Sequence, residues 1–175
     1  MADSKISSLS TDSTPDRTAD YLPTYDASAV GNKKITIENA GGYVLYGYFG
    51  NALDPADATT YYFSPYPAYS SLATTAANHK IRIPRAGVIR RVYIEGVVVT
   101  TLGTSETSTI SIRLNDTTDT TIVSTLALNA SPLSYSNTSM SITVAQGDWI
   151  TVKWATPTWV TNPVDVYMVA TIWIA

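Results

Sequence analysis

GDWITVKWATPTWVTNPVDVYMVATIWIA, residues 147–175, is the stretch on which the fold turns. Its first half alternates with a period of two: Ile150, Val152 and Trp154 share one side, Thr151, Lys153 and Ala155 the other. That is the pattern of a strand with one buried face. The second half puts Val164, Val166, Met168, Ala170, Ile172 and Ile174 on one side, and Asp165, Tyr167, Val169, Thr171 and Trp173 on the other. Apolar groups on both sides predict a central strand whose second face is covered by a neighbouring sheet or another subunit. Tyr167, Val169 and Trp173 are thereby expected at a subunit interface. The joint Thr156–Pro163 cannot extend a ladder, because Pro157 and Pro163 donate no hydrogen bond. A strand tied down in mid-sheet is one whose loss unfolds the domain.

Working back from that stretch, further strands are expected at about 79–83, 88–100, 108–114, 120–127 and 139–144, then 148–155 and 164–174. Turn-forming runs separate them, among them Pro84-Arg85-Ala86-Gly87, Asn115-Asp116-Thr117-Thr118 and Ala145-Gln146-Gly147. No stretch shows three turns of helical apolar spacing. The fold class is therefore all-β, an antiparallel β-sandwich of jelly-roll type over 71–175. Ahead of it, 41–70 is an aromatic linker with the first strands. It holds seven of the twelve tyrosines, enough for a sugar-stacking platform or, more plainly, a sheet edge with wet hydroxyls. Residues 1–40 are polar and carry Asp12, Asp16, Asp20 and Asp26, and they form an extended N-terminal arm. Within the arm, Tyr21-Leu22-Pro23-Thr24-Tyr25 alternates like a docking strand, followed by a turn and the short strand Lys33–Glu38.

Composition removes several classes of function. The net charge of -3 gives no general attraction to nucleic acid or to an anionic membrane. No cysteine is present, so disulfides and thiolate metal sites are excluded. The start of the chain has no basic segment followed by an apolar core of a secretion signal, and no apolar run approaches a membrane span. The single histidine, His79, has no nucleophile motif beside it, and the acids lack metal-loop spacing. No cofactor, metal or catalytic residue is expected. Of the three glutamates, Glu95 stands near Arg90 and Arg91, where an ion pair is the plain expectation. The stretch His79–Arg91 holds six of the twelve Lys, Arg and His residues. It is expected as a solvated face paired with Glu95, Asp116 or an acidic neighbouring subunit, or as the receiver of the Asp-rich arm of an adjacent chain.

The runs Lys5-Ile6-Ser7, Thr14-Pro15, Asp20-Tyr21-Leu22-Pro23, Tyr25-Asp26 and Lys33-Lys34-Ile35-Thr36-Ile37 resemble a segment near the N-termini of tailed-bacteriophage fibre and other virion appendage proteins. There the segment attaches the appendage to the particle or begins its trimerisation. The resemblance implies particle attachment through Pro15, Tyr21, Leu22, Pro23, Tyr25, Lys33 and Lys34. After Ile37 the family usually runs to an asparagine-leucine ending, where this chain has Asn39-Ala40-Gly41-Gly42. The order of strands from IPRAGVIRRVYI to the last one also resembles the jelly-roll heads, similar to the tumour-necrosis-factor fold, at the tips of trimeric fibres.

The function expected is that of a non-enzymatic structural virion protein, a trimeric fibre or head-decoration protein. It would be assembled in the host cytoplasm, held to capsid or tail proteins by its arm, with the sandwich projecting. The alternative is a carbohydrate-binding module for host attachment, with Trp159, Tyr66 and Tyr69 as stacking rings for a surface glycan; the plain account of Trp159 is a plug between strand ends.

Overall fold

The computed structural model describes residues 21–26, 31–36, 41–67 and 74–175. The chain divides into two units, Met1–Gly42 and Tyr43–Ala175. In the first, β1 (Tyr21–Asp26) pairs antiparallel with β2 (Gly31–Thr36), from Tyr21 opposite Thr36 to Asp26 opposite Gly31. The expected docking strand is thus zipped to the strand that follows it. Pairing satisfies backbone groups that a lone extended arm leaves to water. Pro23 stands opposite Lys34, a position that a two-stranded ribbon accepts because both of its strands are edges.

The second unit is two antiparallel sheets packed face to face. In one, β3 (Tyr43–Leu53), β12 (Val164–Ile174) and β6 (Gly87–Thr101) lie side by side. Two short strands, β9 (Leu133–Asn137) and β10 (Ile142–Val144), share the far edge of β6. In the other, β8 (Thr118–Ala127), β7 (Thr107–Leu114) and β11 (Trp149–Ala155) are neighbours. There β4 (Thr60–Tyr62) and β5 (Ile81–Arg82) share the far edge of β11. Apart from the β7–β8 hairpin and the two broken edges, the chain changes sheet at each connection. This is jelly-roll wiring.

The aromatic stretch 41–70 is not a linker before this head. Its strand β3 runs along β12 from Tyr43 opposite Ile174 to Leu53 opposite Val166, and β4 borders β11, so the sandwich begins at Tyr43. Gly47 interrupts the apolar period of β3 in the sequence, yet it is buried opposite Ala170. Strand β9 was not expected; its serine-rich five residues alternate Leu133, Tyr135 and Asn137 inward of Ser134 and Ser136.

Burial follows the alternation. Val166, Met168, Ala170, Ile172 and Ile174 of β12 face Ile150, Val152 and Trp154 of β11 across a core to which β6 adds Ile89, Val92, Ile94 and Val98. Phe49 packs edge-on against Trp154, with centroids 4.7 Å apart at 83°. Ala175 extends the ladder past β12: its N–H donates to the Val88 carbonyl at 3.0 Å, and Val88 N–H donates back at 2.8 Å.

Turns at one end are locked by Asp148. Its carboxylate accepts the Ala145 N–H at 2.8 Å and the Asn115 amide at 2.9 Å, and these donors, the backbone one first, hold its pKa below the usual carboxylate value. A depressed folded pKa contributes stability above the unfolded value, about 3.9, and loses it as pH falls through the folded one. Asp148→Asn should therefore lower the thermal midpoint at neutral pH, and the gap to wild type should close as the pH falls from the unfolded value through the lower folded one. A gap that stays constant from neutral to acid pH would show that the charge on Asp148 contributes nothing.

Candidate functional site

Directly opposed residues of an antiparallel ladder point the same way, so the register maps the outer face of the β3–β12–β6 sheet. Trp173 stands between Val44 and Arg91, Thr171 between Tyr46 and Tyr93, and Val169 between Tyr48 and Glu95; Tyr167 is beside Val97. Tyr93 and Glu95 continue the rows to Ser136 and Ser134 of β9. The three residues expected at a subunit interface thus lie together on one surface, Tyr167 and Val169 half-buried and Trp173 41 % exposed. Around them Tyr46, Tyr93, Val97 and Val99 are exposed as well. Rings of Tyr46 and Tyr48 stack with centroids 6.3 Å apart.

The opposite outer face has another chemistry. On β7, β8 and β11 the outward rows hold Ser111 with Lys153 and Thr121, and Arg113 with Thr151 and Asp119. Asp119 takes Lys153 at 2.6 Å and Arg113 at 2.9 Å, and Arg113 also binds Asp116 at 2.7 Å. The ion pairs are exposed, while Ser111 and Thr151 in the same rows are buried. One outer face carries ion pairs, whereas the other sets exposed tyrosines, valines and a tryptophan among Arg91, Glu95 and Thr171.

A groove of about 580 Å³ opens in the apolar face, walled by Tyr48, Tyr167, Val97 and Val169, with Glu95 and Ser134 as polar groups. It forms where β12 slips register, between Val166 and Met168 against β3. Two glycines let the neighbours close on that irregularity. A Cβ on Gly50 would lie 2.1 Å from the Val166 carbonyl oxygen, and one on Gly96 would lie 2.3 Å from that of Tyr167. The sequence expectation missed Glu95 here. Its sequence neighbours predict an ion pair with Arg90 or Arg91, but Arg91 is four residues along the same face and Arg90 sits at a bulge between Ile89 and Arg91. Neither Glu95 nor Arg91 enters an ion pair among the described residues. One signal for this face existed in the sequence: after Gly96 the alternation of β6 gives way to Val97-Val98-Val99, which must turn valine outward.

Trp159 does not belong to an exposed platform. It is 4 % exposed, its ring centroid is 6.4 Å from that of Trp154, and its backbone N–H donates to the Asp57 carboxylate at 3.2 Å. The loop before β12 is tied inward by Thr156, whose hydroxyl accepts the Thr59 N–H and reaches the Ala56 carbonyl, both at 2.8 Å. Tyr66 is 66 % exposed, and Tyr69 lies outside the described residues. The sugar-stacking set Trp159, Tyr66 and Tyr69 is therefore lost at its first member, which plugs the core end.

The basic stretch does not make one surface either. His79 is buried, and burial lowers its pKa; Lys80 lies 4.4 Å over the Trp149 ring and Arg85 5.4 Å from the Tyr43 ring centre. Arg82 belongs to β5 and Arg91 to β6, strands of different sheets. Asp116 is taken by Arg113 instead. In the N-terminal unit, Tyr21, Leu22, Pro23 and Tyr25 lie on β1, Lys33 and Lys34 on β2, with Lys34 opposite Pro23. Pro15, with Asp12, Asp16 and Asp20, lies outside the described residues.

Among the described residues no three His, Asp or Glu side chains gather to hold a metal ion, and no helix is long and apolar enough to cross a membrane. The site with the most developed surface chemistry is the β3–β12–β6 face with its groove. No protein-family model matches the chain, and no curated protein matches it in sequence.

Proposed function

We propose that this chain is a structural protein of a tailed-bacteriophage virion, a non-enzymatic trimeric fibre or decoration protein. Residues 1–42 attach to capsid or tail proteins and the jelly roll projects. The observation that carries the assembly is the outer face of the β3–β12–β6 sheet, paved with Tyr46, Tyr93, Val97, Val99 and Trp173 while the opposite face carries ion pairs. Contiguous apolar surface of this kind marks an interaction site, and three copies arranged about one axis would cover it. The resemblance of the N-terminal runs to appendage attachment segments supports the virion setting, and the division of the chain at Gly42 supports separate anchoring and projecting roles.

The test is the solution mass of the full chain and of residues 43–175, together with addition of both to particles lacking the protein. Three chain masses for both species, with only the full chain joining particles, is the expected result. A monomer for the full chain at all concentrations would end the assembly reading, and an unfolded 43–175 would end the division of roles. A second reading, recognition of a host-surface glycan, has one observation in its favour: tyrosine walls around a carboxylate and a hydroxyl are also the makings of a sugar site.

A further inference from the structure

The groove on the outer face holds a charge that an apolar cover cannot leave alone. Glu95 lies between Val169 and Ser134 in the register, with Tyr48, Tyr167 and Val97 around it. A partner that sealed this groove with hydrocarbon alone would strand a carboxylate out of water, which is strongly unfavourable unless a cation comes with it. The same face offers that cation. Arg91 is exposed beside Trp173, its direct cross-strand neighbour, and both stand outside the groove. Arg91 and Glu95 are four positions apart on β6, about 13 Å at the usual rise, with Tyr93 between them. That is too far for the two to pair within one chain. Asp165, another acid on the outer side of β12, already accepts the Thr100 hydroxyl.

From these complementary halves we infer that the groove of one subunit receives Trp173 and Arg91 of another copy, with the guanidinium on Glu95 and the indole against the Tyr48 and Tyr167 rings. The inference rests on the assembly reading and specifies its contact. Shape and chemistry agree: a groove of about 580 Å³ takes an indole with a guanidinium beside it, and tyrosine faces attract both groups. An arginine suits the role better than a lysine because its planar fork binds a carboxylate with two parallel hydrogen bonds and stacks on a ring. Each subunit carries one knob and one socket. Copies related by rotation can therefore close into a ring with every socket filled.

The experiment uses the full chain and four variants, Glu95→Arg, Arg91→Glu, the two combined and Trp173→Ala, with mass followed by light scattering across a dilution series. All three substituted side chains, Glu95, Arg91 and Trp173, point outward, so unchanged thermal unfolding of the dissociated chain serves as the folding control. Each single reversal sets like charges together and should weaken association by about a hundredfold or more. The combined variant should recover most of that loss, because the pair is rebuilt with its signs exchanged. Trp173→Ala should weaken association without being rescued by either. A wild-type oligomer indifferent to both single reversals would overturn the pairing and leave the assembly reading standing. A wild-type monomer at every concentration would overturn both. If that monomer's tyrosine signals shifted with a neutral hexose and Glu95→Arg abolished the shift, the groove would be a sugar site and not a socket.

Discussion

Trp154→Ala should destabilise the sandwich by about 3–5 kcal/mol, the range for deleting a large aromatic side chain from a core. Trp154 is wholly buried on β11, the strand between β7 and the β4/β5 edge. Its ring holds the aromatic end of the core together. Phe49 meets it edge-on at 4.7 Å, Tyr61 lies 5.8 Å away and Trp159 6.4 Å away. These rings come from β3, β4 and the loop before β12, so the cavity left by the indole opens under three segments at once. Small domains have only about 5–15 kcal/mol in total, and the loss would consume much of it. Equilibrium urea unfolding would read it as a fall of a molar or more in the midpoint, given slopes of about 1–3 kcal/mol per molar. Trp154→Phe should cost less than Trp154→Ala, since a benzene ring still fills part of the space and the indole N–H has no hydrogen-bond partner to lose. A Trp154→Ala midpoint within a few tenths molar of wild type would contradict the packing described.

Gly50→Ala and Gly96→Ala should each cost about 2–4 kcal/mol, through backbone and not through lost packing. Gly50 has φ +94, a conformation that side chains rarely adopt, and its added methyl would meet the Val166 carbonyl at 2.1 Å. At Gly96 the methyl would meet the Tyr167 carbonyl at 2.3 Å and Met168 Cγ at 2.8 Å. Neither carbonyl can retreat without loosening β12 from a neighbour on one side, so the strain is resolved by opening a ladder. Both changes strike the irregular stretch of β12 under the groove. Alongside lower stability, faster amide exchange is therefore expected at Val166–Val169 before the rest of the strand. Exchange that rises uniformly over the whole sandwich would mean that the glycines do not hold this stretch in particular.

The link from sequence to site is clearest in the contrast between Trp159 and Tyr167. Both are aromatic, and both stand near the C-terminal strand. The period of two settled Tyr167, because side chains of a strand alternate and its partners Val166 and Met168 had to face inward. Trp159 sits in a loop, where no period applies; its backbone N–H is held by the Asp57 carboxylate, and its ring fills the space beside Trp154.

By itself the sequence determined the all-β class, most strand positions and the double-sided character of Val164–Ile174, because these depend on side-chain alternation within one segment. The tertiary structure alone decided the rest. It placed β3 in the sandwich, since Tyr43–Phe49 reads as either a strand or a linker until β12 pairs with it, with Gly47 opposite Ala170. It found β9, whose five residues are too short and polar to stand out until β6 pairs with them. And it put Glu95 in a groove away from Arg91, because the groove is made by a register slip and two close backbone approaches between strands about 70 or more residues apart. A local pattern can tell which way a side chain points; only the pairing of distant strands tells what it points at.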